Sequence, residues 1–235
     1  MTWTHPTGRS PKCVTLVALG PTHHDYSGKA LEGNTPEIVW GSDEVWTLNR
    51  GVWAVQHDLL WVMDHIQGEA EVFPYYGRKL WHHDRPIITS DNLDGWPAHV
   101  HRYPFDEIQT WLARDVAAFH ADWWHNSLAY ILCYAGWIGV KELRVWGADY
   151  HHHKSGRVED GHPNVAYWAG VMERVGLRVL PVCTSTFLGA DQRGWIYGYR
   201  DDPRQPAATQ RKRFRDLIMP EETADAPVSL DHVEP

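Results

Sequence analysis

Short apolar runs that do not alternate with polar residues are the feature that most restricts the fold of this chain. Residues 13–19 read Cys-Val-Thr-Leu-Val-Ala-Leu and stop at Gly20-Pro21. A strand with one wet face alternates apolar and polar side chains. A run without alternation is buried on both faces, as strands of a parallel sheet are. Similar runs occupy residues 44–48, ending at Asn49-Arg50-Gly51, and residues 59–63, ending at Asp64-His65. Residues 86–90, 98–102, 143–147 and 178–183 complete the set. Pro181 has no N–H to give a neighbour, which predicts an edge position for the last strand.

Such a sheet needs helices on both faces. Residues 126–139 are apolar nearly all round, which predicts a buried helix capped by Asn126 or Ser127 and closed by Gly139. Residues 163–175 form another, with Pro163 in its first turn and Gly176 behind it. Helix, strand, helix, strand from Asn126 onward predicts βαβ units. The predicted class is α/β: a Rossmann-like parallel or mostly parallel sheet with helices on both faces, as a single domain over residues 13–200. Residues 1–12 read as an N-terminal extension. Residues 201–210 read as a polar linker, Arg211 to Arg215 as a basic cluster, and residues 221–235 as an acidic tail whose composition predicts disorder.

Composition bears on function mainly by exclusion. A formal net charge of −8 disfavours nucleic acid as a partner, because phosphate neutralisation dominates that affinity. The three cysteines, Cys13, Cys133 and Cys183, are far apart in apolar stretches and read as buried thiols of a reducing compartment. Residues 1–12 lack the apolar run of a signal peptide. The longest apolar stretch, residues 128–140, is too short and too interrupted by glycine to span a bilayer, so a cytoplasmic protein is expected. Tryptophan is frequent, at 14 residues. Trp46, Trp61, Trp137 and Trp146 lie in apolar runs and read as core, whereas Trp123 and Trp124 suit either stacking on a ligand or packing on the sheet.

Ligands of open α/β sheets bind beyond the carboxyl ends of the strands. The residues found there are Gly20-Pro21-Thr22 with His23 and His24, Asn49, Asp64-His65, Ser90-Asp91, and Asp149 with His151, His152 and His153. Gly20-Pro21-Thr22 takes the usual place of a phosphate-binding turn. The GxGxxG fingerprint and the Walker lysine are both missing, which argues against an ordinary dehydrogenase or P-loop enzyme. Asn126-Ser127 opens a helix whose free N–H groups suit a phosphate. The three consecutive histidines read as a solvated loop, with a metal site as the rival. His162 stands among turn residues before Pro163, where a neutral imidazole can act as general base.

Several segments, in order, resemble the single-domain bacterial sialyltransferases and their Rossmann-like relatives, which include 6-hydroxymethylpterin diphosphokinase-like proteins. They are Leu19-Gly20-Pro21-Thr22, Val45-Trp46-Thr47-Leu48-Asn49, Asn126-Ser127 with the helix behind it, Gly139-Val140-Lys141-Glu142-Leu143, Trp146-Gly147-Ala148-Asp149, and Gly161-His162. Their order and spacing carry the resemblance, which spans residues 14–188 and is weak over residues 67–121. It implies Gly20, Pro21 and Thr22 near the donor phosphates or ribose, Asn49, Ser127 and their neighbours Asn126 and Asp149 at the nucleotide, and His162 as general base. No tyrosine pair matches the one with which the family holds the leaving phosphate; Tyr150, Tyr167 and the surrounding histidines are the candidates for that role. Leu19 stands where the family has Asn, so one polar donor contact is lacking.

The expected function is that of a nucleotide-dependent transferase, a glycosyltransferase moving a sugar from a nucleotide-activated donor to an acceptor glycan or other hydroxyl compound. A divalent metal is not required in this reading, and a homo-oligomer is compatible with it. The alternatives are a Mg-dependent diphosphotransferase, a non-catalytic nucleotide-binding protein, and glycosylation of a hydroxylated nucleic-acid base, which the Arg211 to Arg215 cluster would serve. The tail after Pro220 is expected to contribute nothing to folding. Truncation there should leave the melting temperature unchanged, and a drop of several degrees would show that the tail docks on the domain.

Overall fold

The structure is a computed structural model that describes residues 3–20, 23, 26, 41–91, 93–118, 123–148 and 161–182. All of these fall within the compact unit Met1–Gln192. The linker, basic cluster and tail expected over residues 201–235 lie outside the described residues, as do Pro21, Thr22, Asp149 to His153 and Cys183.

The predicted strands are present: β1 (Cys13–Val17), β2 (Glu44–Leu48), β3 (Leu59–Val62), β4 (Ile87–Thr89), β5 (Val100–Arg102), β6 (Glu142–Trp146) and β7 (Arg178–Pro181). They form one sheet in the order β5-β4-β3-β2-β1-β6-β7, and every neighbouring pair is parallel. β7, with its proline, is at the edge as expected. The chain builds outward from β1 to β5, then returns to place β6 on the other side of β1. The topology is Rossmann-like, with its switch point between β1 and β6.

Both sheet faces are covered. Helices α3 (Phe105–Trp111), α4 (Ser127–Trp137) and α5 (Gly161–Arg174) pack on the face that presents Leu16, Trp46, Trp61, Ile88 and Val145. On the opposite face, α1 (Ile66–Val72) and α2 (Pro74–Trp81) supply Ile66, Tyr76 and Leu80 against Leu60, Val62 and Ile87. Adjacent residues of one strand, such as Trp61 and Val62, thus enter different clusters, which is why the strands read as unbroken apolar runs. Trp46, Trp61 and Trp146 are fully buried, as expected, whereas Trp137 is half-buried.

The cysteine expectation holds for Cys133, which is buried. It needs correction at Cys13, which is half-buried at the sheet's lower edge with its Sγ 3.8 Å from Glu142 Oε1. The segment before β1 is also more than an extension. Trp3 packs on the core. His5 Nε2 lies 3.0 Å from Glu44 Oε2, and His5 Nδ1 lies 2.6 Å from the Tyr134 hydroxyl. Thr7 and Trp46 also donate to the Glu44 carboxylate. Burial alone would raise the pKa of Glu44. The hydrogen bonds from His5, Thr7 and Trp46 outweigh it and hold the carboxyl below its ordinary range.

A second buried polar pair lies below β3 and β4. His57 Nδ1 is 2.6 Å from the Val55 carbonyl, which can only accept, so Nδ1 carries the proton. His57 Nε2 then accepts from His83 Nε2 at 2.9 Å. Burial lowers the pKa of His57, and burial together with the neighbouring His57 lowers that of His83 to about 4. A histidine with a depressed folded pKa contributes stability above its unfolded pKa and loses it as pH falls toward the folded value. The melting temperature should therefore fall between pH 6.5 and about 4. Calorimetry across that window checks this, and a His83→Asn variant should show a shallower fall.

Candidate functional site

The switch point brings the exits of β1 and β6 side by side. Ala18 N–H donates to the Trp146 carbonyl at 2.8 Å and Gly20 N–H to the Gly147 carbonyl at 2.6 Å. Gly147 turns the chain out of β6 at φ +66°, and a Cβ there would come within 2.6 Å of the Ala18 carbonyl oxygen and 2.9 Å of His23 Cβ. Only glycine meets both demands. His23 N–H donates to the Gly20 carbonyl at 2.9 Å, and His23 Nδ1 lies 2.7 Å from the same oxygen. That contact assigns the proton to Nδ1. His23 is thus a half-buried imidazole packed on Gly147 at the switch point. The sequence placed it among the strand-end residues without giving it a role.

α4 and α5 each precede a strand of the sheet and run antiparallel to it, so both begin at its carboxyl edge. Asn126 caps α4 with its side-chain oxygen accepting from Leu128 N–H at 2.8 Å. Ser127 is the first helical residue. A Cβ on Gly161 would lie 2.6 Å from Asn126 Nδ2, so the two helix starts abut. Both point the positive ends of their backbone dipoles to the ligand side. His162 is in the first turn of α5 and half-buried. This corrects the expected helix start at Pro163: the helix begins at Gly161, and Pro163 occupies a first-turn position where its missing N–H costs nothing.

Buried polar contacts hold that helix in place. The wholly buried Asn164 donates to the Trp123 carbonyl at 2.7 Å and accepts from His125 N–H at 3.3 Å. Trp168 Nε1 donates to the same carbonyl at 2.7 Å. The Trp124 ring packs on Tyr130, Trp168 and Phe105 with centroids 4.8, 5.1 and 5.4 Å away. Trp123 packs on Tyr167 at 5.5 Å. Of the two uses open to Trp123 and Trp124, packing is the one these contacts serve.

Asn49 leaves β2 in the left-handed region at φ 49°, which Asn tolerates better than most residues. Its Nδ2 donates to Asp64 Oδ2 at 3.1 Å, tying the exits of β2 and β3. Its Oδ1 is buried without a hydrogen-bond partner. At the next strand ends, Ser90 donates to the Met63 carbonyl at 2.8 Å. His65 caps α1 by accepting from Gly68 N–H at 2.8 Å, with its Nε2 3.6 Å from Asp91. Among the described site residues, then, Gly20 and Asn49 leave adjacent strands, and Asn126, Ser127 and His162 share the junction of α4 and α5. Pro21, Thr22 and Asp149 lie outside the described residues.

Among the described residues no cluster of three or more His, Cys, Asp or Glu is placed to hold a metal ion, and no helix is long and apolar enough to cross a membrane. Compared with protein families, with curated proteins and with solved structures, the chain finds no match.

The close fit at Gly147 is directly testable. Gly147→Ala combines a left-handed backbone, costing about 1–2 kcal/mol for a residue with a Cβ, with the contact to Ala18. The variant should melt several degrees below the parent in a thermal scan.

Proposed function

We propose that this protein is a nucleotide-dependent transferase, a glycosyltransferase that moves a sugar from a nucleotide-activated donor to an acceptor hydroxyl. One observation carries the reading. The β1–β6 switch point, where α/β sheets bind nucleotides, is flanked by two abutting helix starts, with His162 in the first turn of one of them.

In this reading the donor phosphates lie over the Gly20 turn and the starts of α4 and α5. Backbone N–H groups there neutralise charge without a metal. Asn49, with an acceptor oxygen still to be satisfied, takes a ribose hydroxyl or base N–H. The imidazole of His162 accepts the proton of the acceptor hydroxyl. The freed oxygen bonds to the anomeric carbon as the bond from that carbon to the donor phosphate breaks. The electron pair leaves on the phosphate, whose new charge the helix starts stabilise. A general base of this kind contributes about 10²–10⁴-fold to rate.

A thermal-shift screen of the full chain against nucleotides and nucleotide sugars identifies the donor, because a ligand of the folded state raises the melting temperature by mass action. With that donor, His162→Ala should lower turnover by about 10²-fold or more while keeping the ligand-induced shift. Retention of most activity would remove His162 from the mechanism. A shift given by no nucleotide would remove the transferase reading itself. A turnover that requires Mg²⁺ would favour the diphosphotransferase alternative.

A further inference from the structure

On the other half of the sheet, α1, α2 and residues 94–96 border an open cleft of about 570 Å³. Only Phe73 separates the two helices, and their close approach depends on Gly77. A Cβ there would lie 2.7 Å from Ala70 Cβ and 3.0 Å from Ala70 Cα. This seam of small residues lines the cleft. At the cleft the Trp81 and Trp96 rings meet with centroids 5.6 Å apart at 47°. Gly95, at φ +85°, turns the chain just before Trp96, which packs partly on the core. Trp81, at the end of α2, is 46% exposed.

The polar lining narrows the chemistry of the occupant. It includes Gln67, Arg78, His82 and Asp94. A purely apolar ligand would form no hydrogen bond with these polar groups. An anion would face Asp94, and a nucleic acid would also meet Glu69 and Glu71 of α1 and a chain of net charge −8. The formal charges of Arg78 and Asp94 cancel, which suits a neutral ligand. A neutral sugar ring presents what this lining matches: a C–H face for an indole, and adjacent hydroxyls for planar carboxamide, guanidinium and carboxylate groups. The volume is within the range of small-molecule sites.

We infer that the cleft bordered by Trp81 and Trp96 is a binding site for neutral saccharides, separate from the switch point. The inference stands without the transferase reading, since it needs neither nucleotide nor catalysis. If both hold, the cleft retains a glycan acceptor near the enzyme between turnovers. The test follows indole N–H resonances of the isotope-labelled full chain, assigned with Trp81→Phe, during titration with maltotriose, cellotriose and chitotriose. At least one sugar should shift the Trp81 resonance saturably. Trp81→Ala, at an exposed ring, should weaken that sugar by about tenfold or more. Asp94→Asn and Gln67→Ala report on the hydroxyl contacts without touching the rings and should each weaken it too. His162→Ala should leave it unchanged, which separates failure here from failure at the switch point. The inference is overturned if none of the sugars gives a saturable shift, if Trp81→Ala binds as the parent does, or if oligodeoxythymidine occupies the cleft in their place.

Discussion

The packing of α4 across the strands next to the switch point is the interaction on which the rest of the structure depends. Its interior residues from Leu128 to Ala135, apart from the half-buried Tyr130, are all buried. Tyr134 stands at the centre, its ring 5.0 Å from Trp61, 5.9 Å from Trp46 and 6.3 Å from Tyr103. A large apolar side chain taken out of water contributes about 1.5–3 kcal/mol, so this aromatic cluster is a major share of the core. Burying the phenol hydroxyl without a partner would cost stability, and His5 supplies one. Through His5 the cluster is joined to Glu44 at the foot of β2. The same helix carries the chain from β5 back to β6, so its packing decides which strands flank β1 and hence where the switch point falls.

The two edges of the sheet are chemically unlike. At the amino edge the carboxylates already have partners. Asp43 accepts from Lys12 and Cys13 N–H, Asp58 from Val45 N–H and Arg9, and Glu142 from Arg144 and Arg178. These contacts fix strand ends and occupy the carboxylates within the fold. At the carboxyl edge, the exits of β1 and β6 present glycines, an imidazole and two helix starts, with no carboxylate among the described residues from Ala18 to Gly20 and from Gly147 to Ala148. Asp64, 3.1 Å from Asn49, and Asp91 also stand at the carboxyl edge, beyond β3 and β4, so among the described residues the exits of β1 and β6 are the part of that edge best suited to an anionic ligand.

How much of this could be read from the sequence depends on how many faces each element buries. Strands buried on both faces and the all-apolar α4 leave an unbroken run, and their positions were legible within a residue or two. α1, α2 and α3 were not, although Pro74 before Tyr76 and Leu80, and the spacing Ile108 to Leu112, carried the signal. They are short, seven or eight residues, and each buries only one stripe. Gly20 and Asn49 could be placed by the strand-end rule, Asn126 as a helix cap and His162 among the turn residues before Pro163. The role of Gly147, the seating of His23 and the anchoring of α5 through Asn164 could not, because each depends on a contact between segments distant in sequence.

The uneven covering of the sheet also accounts for the cleft. On the face of α4 and α5, helices of 11 and 14 residues lie over β1, β2, β6 and β7 and fill the layer. On the opposite face the chain passes from β4 to β5 with no helix, so Leu93 and Trp96 are the side chains that this connection packs against the sheet. Two short helices and a loop cannot close over the same area as one long helix. The space left between them must be either collapsed or lined, and the rigid seam between Gly77 and Ala70 prevents α2 from collapsing toward α1. What remains is a concavity bordered by indoles and polar side chains, set by the same crossover geometry that puts the switch point three strands away.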